Sequence, residues 1–280
     1  MAKYKLTGLI LTVIISGCSA SSNFNESVAQ ESMLIKTKNY PGLIDFYKTQ
    51  LKDSEHSAIR AKLAQAYLDY GDPDSALFTI RPLTQSTNEQ TARKKQPSSS
   101  PWDMVTEQVS WESWGHDEVK TNWLFIQANA ELAMGNSDAA LSSALQAFQM
   151  NKQDAEIANL IGVIYAEEGN IYEARHYFHV ARKNLYDDVK VKNNLALLYL
   201  LEGKFERAID MLLPLYVNGQ ADEKVEANLV LALVKNGDIN LMRKVLRPQY
   251  SDREIAQKYQ VLSSVQPAKW IRAYNGDESR

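Results

Sequence analysis

The 280-residue sequence holds one cysteine, Cys18. A single thiol makes no intrachain disulfide and no cysteine-based zinc site. Neither sign of charge is in excess, since 31 Lys and Arg stand against 34 Asp and Glu for a net charge of −3. Without a basic surplus to meet a polyanion, nucleic acid is excluded as the main partner. Catalytic signatures are missing too: there is no His-Glu-x-x-His, no phosphate-cradling glycine loop and no Gly-x-Ser-x-Gly. Glu173, His176 and His179 stand at i, i+3 and i+6 of a helical stretch. Positions i and i+6 diverge around a helix of 3.6 residues per turn, so no metal site is assigned there. The chain reads as a non-enzyme with no cofactor and no small-molecule substrate. What it does have is apolar residues, 45% of the total, which affords a substantial core and excludes wholesale disorder.

The N-terminus carries Lys3 and Lys5, then an apolar run from Leu6 to Ile15 broken only by Thr7, Gly8 and Thr12. Ten residues give about 15 Å of helix against a bilayer core of ~30 Å, too short to span but right for a secretory leader. Ile15-Ser16-Gly17-Cys18 follows and resembles the bacterial lipobox of aliphatic, small, small, cysteine. That resemblance implies a signal peptide over 1–17, cleavage before Cys18, and lipid on the Cys18 sulfur and amine. Several acyl chains, at ~0.8 kcal/mol per buried CH₂, hold a protein at a membrane where one is marginal. In such lipoproteins an Asp after the cysteine marks inner-membrane retention. Ser19 stands there instead, which implies the periplasmic face of the outer membrane, with 18–25 as a tether.

Gly135, Gly169, Gly203 and Gly237 recur every 34 residues. Five positions after each comes Ala140, Ala174, Ala208 or Met242, and seven before each comes Ala128, Gly162, Ala196 or Val230. The fullest copy is Gly162-x-x-Tyr165-x-x-x-Gly169-x-x-x-x-Ala174-x-x-x-Phe178-x-x-Ala181. Small residues at facing positions let two antiparallel helices approach closely, and the turn glycine takes the positive φ that ends the first helix. The pattern resembles the tetratricopeptide repeat (TPR), whose small, aromatic, Gly, Ala, aromatic and Ala positions fall at these offsets. It implies an all-α fold, a right-handed superhelical solenoid of antiparallel helix pairs.

An earlier copy is centred on Gly71, with Asp72 as N-cap and Pro73 as first helical residue, and Tyr40 to Tyr47 reads as a worn repeat. The expected organisation is a degenerate and a first repeat over 26–83, and four contiguous repeats over 121–250. A capping helix over 251–262 and a flexible tail over 263–280 follow. Gly71 precedes Gly135 by 64 residues, thirty more than the period, so 84–113 reads as an insert rich in Ser, Thr, Gln and Pro. Trp102, Trp111, Trp114 and Trp123 cluster at its end. They either form an interaction hot spot or fold the insert onto the solenoid. Pro82, Pro214 and Pro248 each fall eleven residues after a turn glycine, so three second helices are expected to bend or stop there.

Tetratricopeptide arrays bind segments along the face lined by their first helices. Counted by repeat position, the resemblance assigns that groove Phe125, Asn129, Leu132, Asn159, Val163, Asn193, Leu197, Leu200, Leu201, Leu231 and Val234. Apolar side chains give pockets and the amides can pair with a peptide backbone. The alternative is that part of the strip packs against the chain's own insert or tail.

A lipobox followed by such repeats is similar to the tight adherence protein D (TadD) family of Flp pilus systems. The resemblance implies a scaffold lipoprotein for pilus assembly, adhesion and biofilm formation, with a secretin or another assembly component as partner. The same two motifs occur in pilotins of type IV pilus secretins and in lipoproteins of outer-membrane protein assembly and peptidoglycan synthesis.

Overall fold

The computed structural model describes residues 19–53, 56–94, 112–247 and 249–266. Among them every regular element is a helix, thirteen in all. They fall into two compact units, Met1–Asp72 and Pro73–Arg280.

The first unit contains α1 (Ser19–Lys36), α2 (Tyr40–Asp53) and α3 (Ser57–Tyr70). The segment 19–25, read as a tether, forms the first turns of α1. Leu43, Ile44, Tyr47, Leu63 and Ala66 make the core, with Leu34, Tyr40 and Tyr67 packed around it. One polar knot joins the three helices. Glu31 accepts from the Tyr47 hydroxyl at 2.7 Å and from Lys62 Nζ at 2.8 Å. Burial works to raise the Glu31 carboxyl, but the bonds from Lys62 and Tyr47 outweigh it and hold the group below the ordinary carboxylate range. Burial, with Glu31 alongside, pushes the Tyr47 phenol above its ordinary value.

The second unit runs from α4 (Pro73–Lys94) through four helix pairs to a closing helix. The pairs are α5 (Glu112–Ala133) with α6 (Ser137–Met150), α7 (Ala155–Glu167) with α8 (Ile171–Lys183), α9 (Asp188–Leu201) with α10 (Phe205–Val217), and α11 (Glu223–Lys235) with α12 (Ile239–Leu246). The closing helix α13 (Asp252–Ser264) starts on a capping box made by Ser251 and Glu254. Its Ile255 and Leu262 enter the core formed by α9 to α12, so it covers the last apolar face.

The 34-residue beat has a direct physical counterpart. Gly135, Gly169, Gly203 and Gly237 sit at φ +76°, +78°, +72° and +77°, where a Cβ would be strained. At Gly169 the closing bonds are Gly169 N–H to Ala166 O (3.1 Å) and Asn170 N–H to Tyr165 O (2.8 Å). The Asn170 side chain then caps α8 by accepting from Glu173 N–H. Ala140, Ala174, Ala208 and Met242 are fully buried where first and second helices meet. Gly162 is the tightest contact: a Cβ there would lie 2.6 Å from the Phe178 ring.

Three features depart from the sequence reading. α4 runs to Lys94, well into the stretch whose composition reads as loop. α4 and α10 also continue through Pro82 and Pro214. The carbonyls deprived of a donor belong to Phe78 and Asp210, both exposed residues, where solvent can take the place of the lost bond. α12 does end at Leu246, while Pro248 lies outside the described residues. The third departure is a turn. The α8–α9 corner repeats the glycine-type closure with Leu185 at φ +65°, the position that Gly219 fills one repeat later at +69°. Leu185 is 91% exposed, so neither packing nor backbone preference favours it there.

Cys18, Trp102 and Trp111 lie outside the described residues, as does the stretch 267–280 of the expected tail. Trp114 lies in α5, and Trp123 on the same helix is half-buried.

Candidate binding groove

The sequence of α7 places Asn159, Val163 and Ala166 on one face, at i, i+4 and i+7. In α9 the corresponding face carries Lys190, Asn193, Asn194, Leu197 and Leu201, and in α11 it carries Val225 and Asn228. Together these residues line a hollow of about 480 Å³, within the ordinary range for a binding pocket. Tyr186 and Val189 form one rim, and Phe178 reaches it from α8.

Amides stitch the floor across repeats. Asn194 Nδ2 donates to Asn159 Oδ1 at 2.8 Å, and Asn228 Nδ2 donates to Asn193 Oδ1 at 2.8 Å. Each bond links residues 35 apart, one more than the period, so each first helix grips the next by equivalent positions. Charge around the hollow is mixed. Lys190 and Lys224 stand with Glu167 and Asp222, and Asp222 is occupied in capping α11 by accepting from Val225 N–H at 2.8 Å. Lys190 Nζ sits 5.7 Å above the Tyr186 ring. Burial first, then Glu156 and Asp187, raise the Tyr186 phenol, which stays neutral at physiological pH.

The groove residues expected from repeat position divide into three groups. Asn159, Val163, Asn193, Leu197 and Leu201 line the hollow. Phe125, Asn129 and Leu132 are half-buried on α5 outside it. Phe125 and Leu132 pack on the α5–α7 core, and the Asn129 amide donates to Phe125 O at 2.9 Å. Leu200, Leu231 and Val234 are core residues, at most 4% exposed, and offer no surface to a partner. At α11, Leu231 is fully buried where its counterparts Val163 and Leu197 are half-buried, and α13 packs into the same core. Asn228, which the positional count passes over, is instead the buried end of the amide ladder. Its signal in the sequence is its distance of 34 from Asn194.

Other polar clusters are structural. Glu131 is buried between α5 and α6, where it accepts from Ser143 Oγ at 2.7 Å and from Gln127 Nε2 at 2.8 Å. Glu202 bridges repeats by pairing with Arg175 at 2.7 Å and Lys204 at 3.1 Å. On α8, burial followed by Arg175, Arg182 and His176 lowers the His179 pKa. Among the described residues no group of three His, Cys, Asp or Glu side chains is placed to hold a metal ion. No helix among them is long and apolar enough to cross a membrane.

Comparison with known proteins agrees with this geometry. Residues 127–178, from α5 into α8, match the tetratricopeptide repeat family. Among solved structures the chain is similar to TTC0263, a thermophilic TPR protein of Thermus thermophilus, at 19% identity and a TM-score of 0.52. That likeness covers 75% of this chain and 98% of that one. It is also similar to a set of nearly identical TPR-like repeats from a putative kinesin light chain of Podosopora anserina. The identity there is 15% and the TM-score 0.50, over 74% of this chain and 99% of the other. No curated protein matches the sequence. The helix pairs, the turn glycines and the matched segment agree on one fold: the chain is an all-α tetratricopeptide-repeat solenoid.

Proposed function

We propose that the chain is a tethered protein-binding scaffold that holds a segment of a partner protein in the hollow of α7, α9 and α11. The observation carrying this is the hollow itself: an apolar floor of Val163, Leu197 and Leu201 with amides at fixed spacing, on rigid helices. Apolar side chains of a partner supply affinity there, and the amides fix its register. In this reading the tether is lipid on Cys18 after removal of 1–17, and the place of action is the periplasmic face of the outer membrane. The machine served is Flp pilus assembly and secretion, with a secretin as partner, on the strength of the lipobox and the repeats that the chain shares with the TadD family.

Each layer has its own test. Leu197→Glu puts a charge on the groove floor and should abolish partner capture while leaving helical circular dichroism intact; retained capture would move the site elsewhere. Leu231 is unsuitable for this purpose, since a charge at a fully buried position tests stability rather than binding. Cys18→Ser should release the chain from membranes and end labelling by radioactive palmitate, and unchanged labelling would refute the anchor. A secretin, a secretion ATPase and a prepilin encoded beside the chain are the expected neighbours, and their absence would sink the pilus assignment.

A further inference from the structure

The hollow leaves one polar atom unmatched. Asn228 is 1% exposed and its Nδ2 is spent on Asn193, but its Oδ1 is buried with no hydrogen-bond partner. A buried carbonyl oxygen without a donor is a standing penalty in the empty groove. The hollow that Asn228 lines also carries Val163, Leu197, Leu201 and Val225. The group that completes such a site has a large apolar body and a single donor, with no acceptor left to satisfy. Among side chains that description is tryptophan's, whose indole N–H donates and accepts nothing.

The chain supplies one within reach. Lys235 Nζ donates to Ser263 O at 2.8 Å, which ties the end of α13 to the end of α11. Asn228 lies seven residues before Lys235 on α11, about 11 Å of helix rise. Trp270 lies seven residues after Ser263; α13 ends at Ser264, and the six extended residues that follow span up to about 20 Å. The difference exceeds the length of the lysine side chain, so the span closes. Ile271 and Tyr274 follow and extend the apolar character of the segment.

We propose that residues 267–280 fold back along α11 and seat the Trp270 indole in the hollow, with Nε1–H donating to Asn228 Oδ1. The segment is then an internal ligand of the groove, and a partner takes the site by displacing it. The inference rests on the hollow as a binding site and not on the identity of the partner. A rival seat exists on α13, a hollow of about 490 Å³ lined by Tyr250, Glu254, Gln257, Lys258, Val261 and Leu262, with Val261 63% exposed. Among the described residues it presents no unpartnered buried polar atom.

The test is ¹⁹F NMR of the chain grown with 5-fluorotryptophan, the Trp270 resonance being assigned by its loss in Trp270→Phe. In the wild type that resonance should lack the shift that exposed indoles show between H₂O and D₂O. Leu197→Glu on α9 and, independently, Val163→Glu on α7 should each restore the full shift, with circular dichroism showing that the helices persist. Val261→Glu should leave it shielded. A solvent-exposed Trp270 in the wild type, shielding that survives both groove charges, or shielding lost with Val261→Glu would overturn the assignment. Shielding that disappears on dilution would also overturn it, because the segment would then occupy a second copy. Deleting 267–280 should raise partner capture several-fold, and unchanged capture would refute displacement. The two readings fail separately. An exposed Trp270 together with capture lost in Leu197→Glu removes the internal ligand and keeps the groove. A shielded Trp270 together with capture retained in Leu197→Glu does the reverse.

Discussion

Replacing Gly162 by alanine tests how the repeats are packed. Glycine inside a helix costs about 1 kcal/mol relative to alanine, so by local preference alone Gly162→Ala should stabilise the chain by that amount. The structure opposes this, since the new methyl would stand 2.6 Å from two carbons of the Phe178 ring, and Phe178 is 1% exposed. Overpacking of this kind costs about 1–3 kcal/mol, which leaves a net loss of roughly 1 kcal/mol. The neighbouring repeats say what relieves it. The position of Gly162 is held by Ala128 and Ala196, and the position of Phe178 by Ala144 and Leu212, all buried. Gly162→Ala with Phe178→Leu recreates the Ala196–Leu212 pair one repeat early. Phe178→Leu alone leaves a void and is destabilising, so the two losses should not add. The double variant should be more stable than their sum by at least about 1 kcal/mol. Urea unfolding of the four proteins, followed by circular dichroism at matched slopes, reads this coupling. Additive losses, or a Gly162→Ala that gains the full helix-propensity increment, would refute the close-approach argument.

Leu185→Gly should stabilise the chain by about 0.5–1 kcal/mol, the relief of left-handed strain less the added freedom of the unfolded chain. Leu185→Ala, which keeps the strain, should not, and thermal melts of the two variants separate the cases. Asn193→Ala leaves Asn228 buried with neither amide atom satisfied and should cost about 1–3 kcal/mol, whereas Asn193→Leu with Asn228→Leu should cost much less, again read by urea unfolding. In the first unit the depressed Glu31 carboxyl contributes stability that is fully present above the ordinary carboxylate value of about 4.3 and is lost as pH falls through its lowered folded value. The stability gap between the wild type and Glu31→Gln should therefore close as pH drops below about 4. With Lys62 more than half exposed, that gap should stay under about 1 kcal/mol at neutral pH.

The features legible in the sequence are those where one residue type answers one local demand. A turn that needs positive φ calls for glycine, and a close helix approach calls for glycine or alanine. Four such positions at a fixed period therefore reveal both the helix pairs and their stacking. Where a demand is met by the surroundings, the letter misleads. Pro82 and Pro214 read as helix breakers, yet the carbonyl each frees belongs to an exposed residue, Phe78 or Asp210, and the helix goes on. Leu185 takes a glycine conformation because the bonds from its N–H to Arg182 O and from Tyr186 N–H to Ala181 O close the corner whatever the side chain. The groove fails to transfer by position at α11 for a related reason. Repeat offsets assume that every first helix has the same neighbours, but α11 is the last one and α13 lies against it. Leu231 is thereby sealed into the core, where its counterpart Leu197 on α9 stays half-buried. A repeat pattern specifies the interior of a solenoid well and its ends poorly, because an end is defined by what covers it. In this chain the site of greatest interest lies beside that end, where the amide ladder stops on an oxygen with no donor.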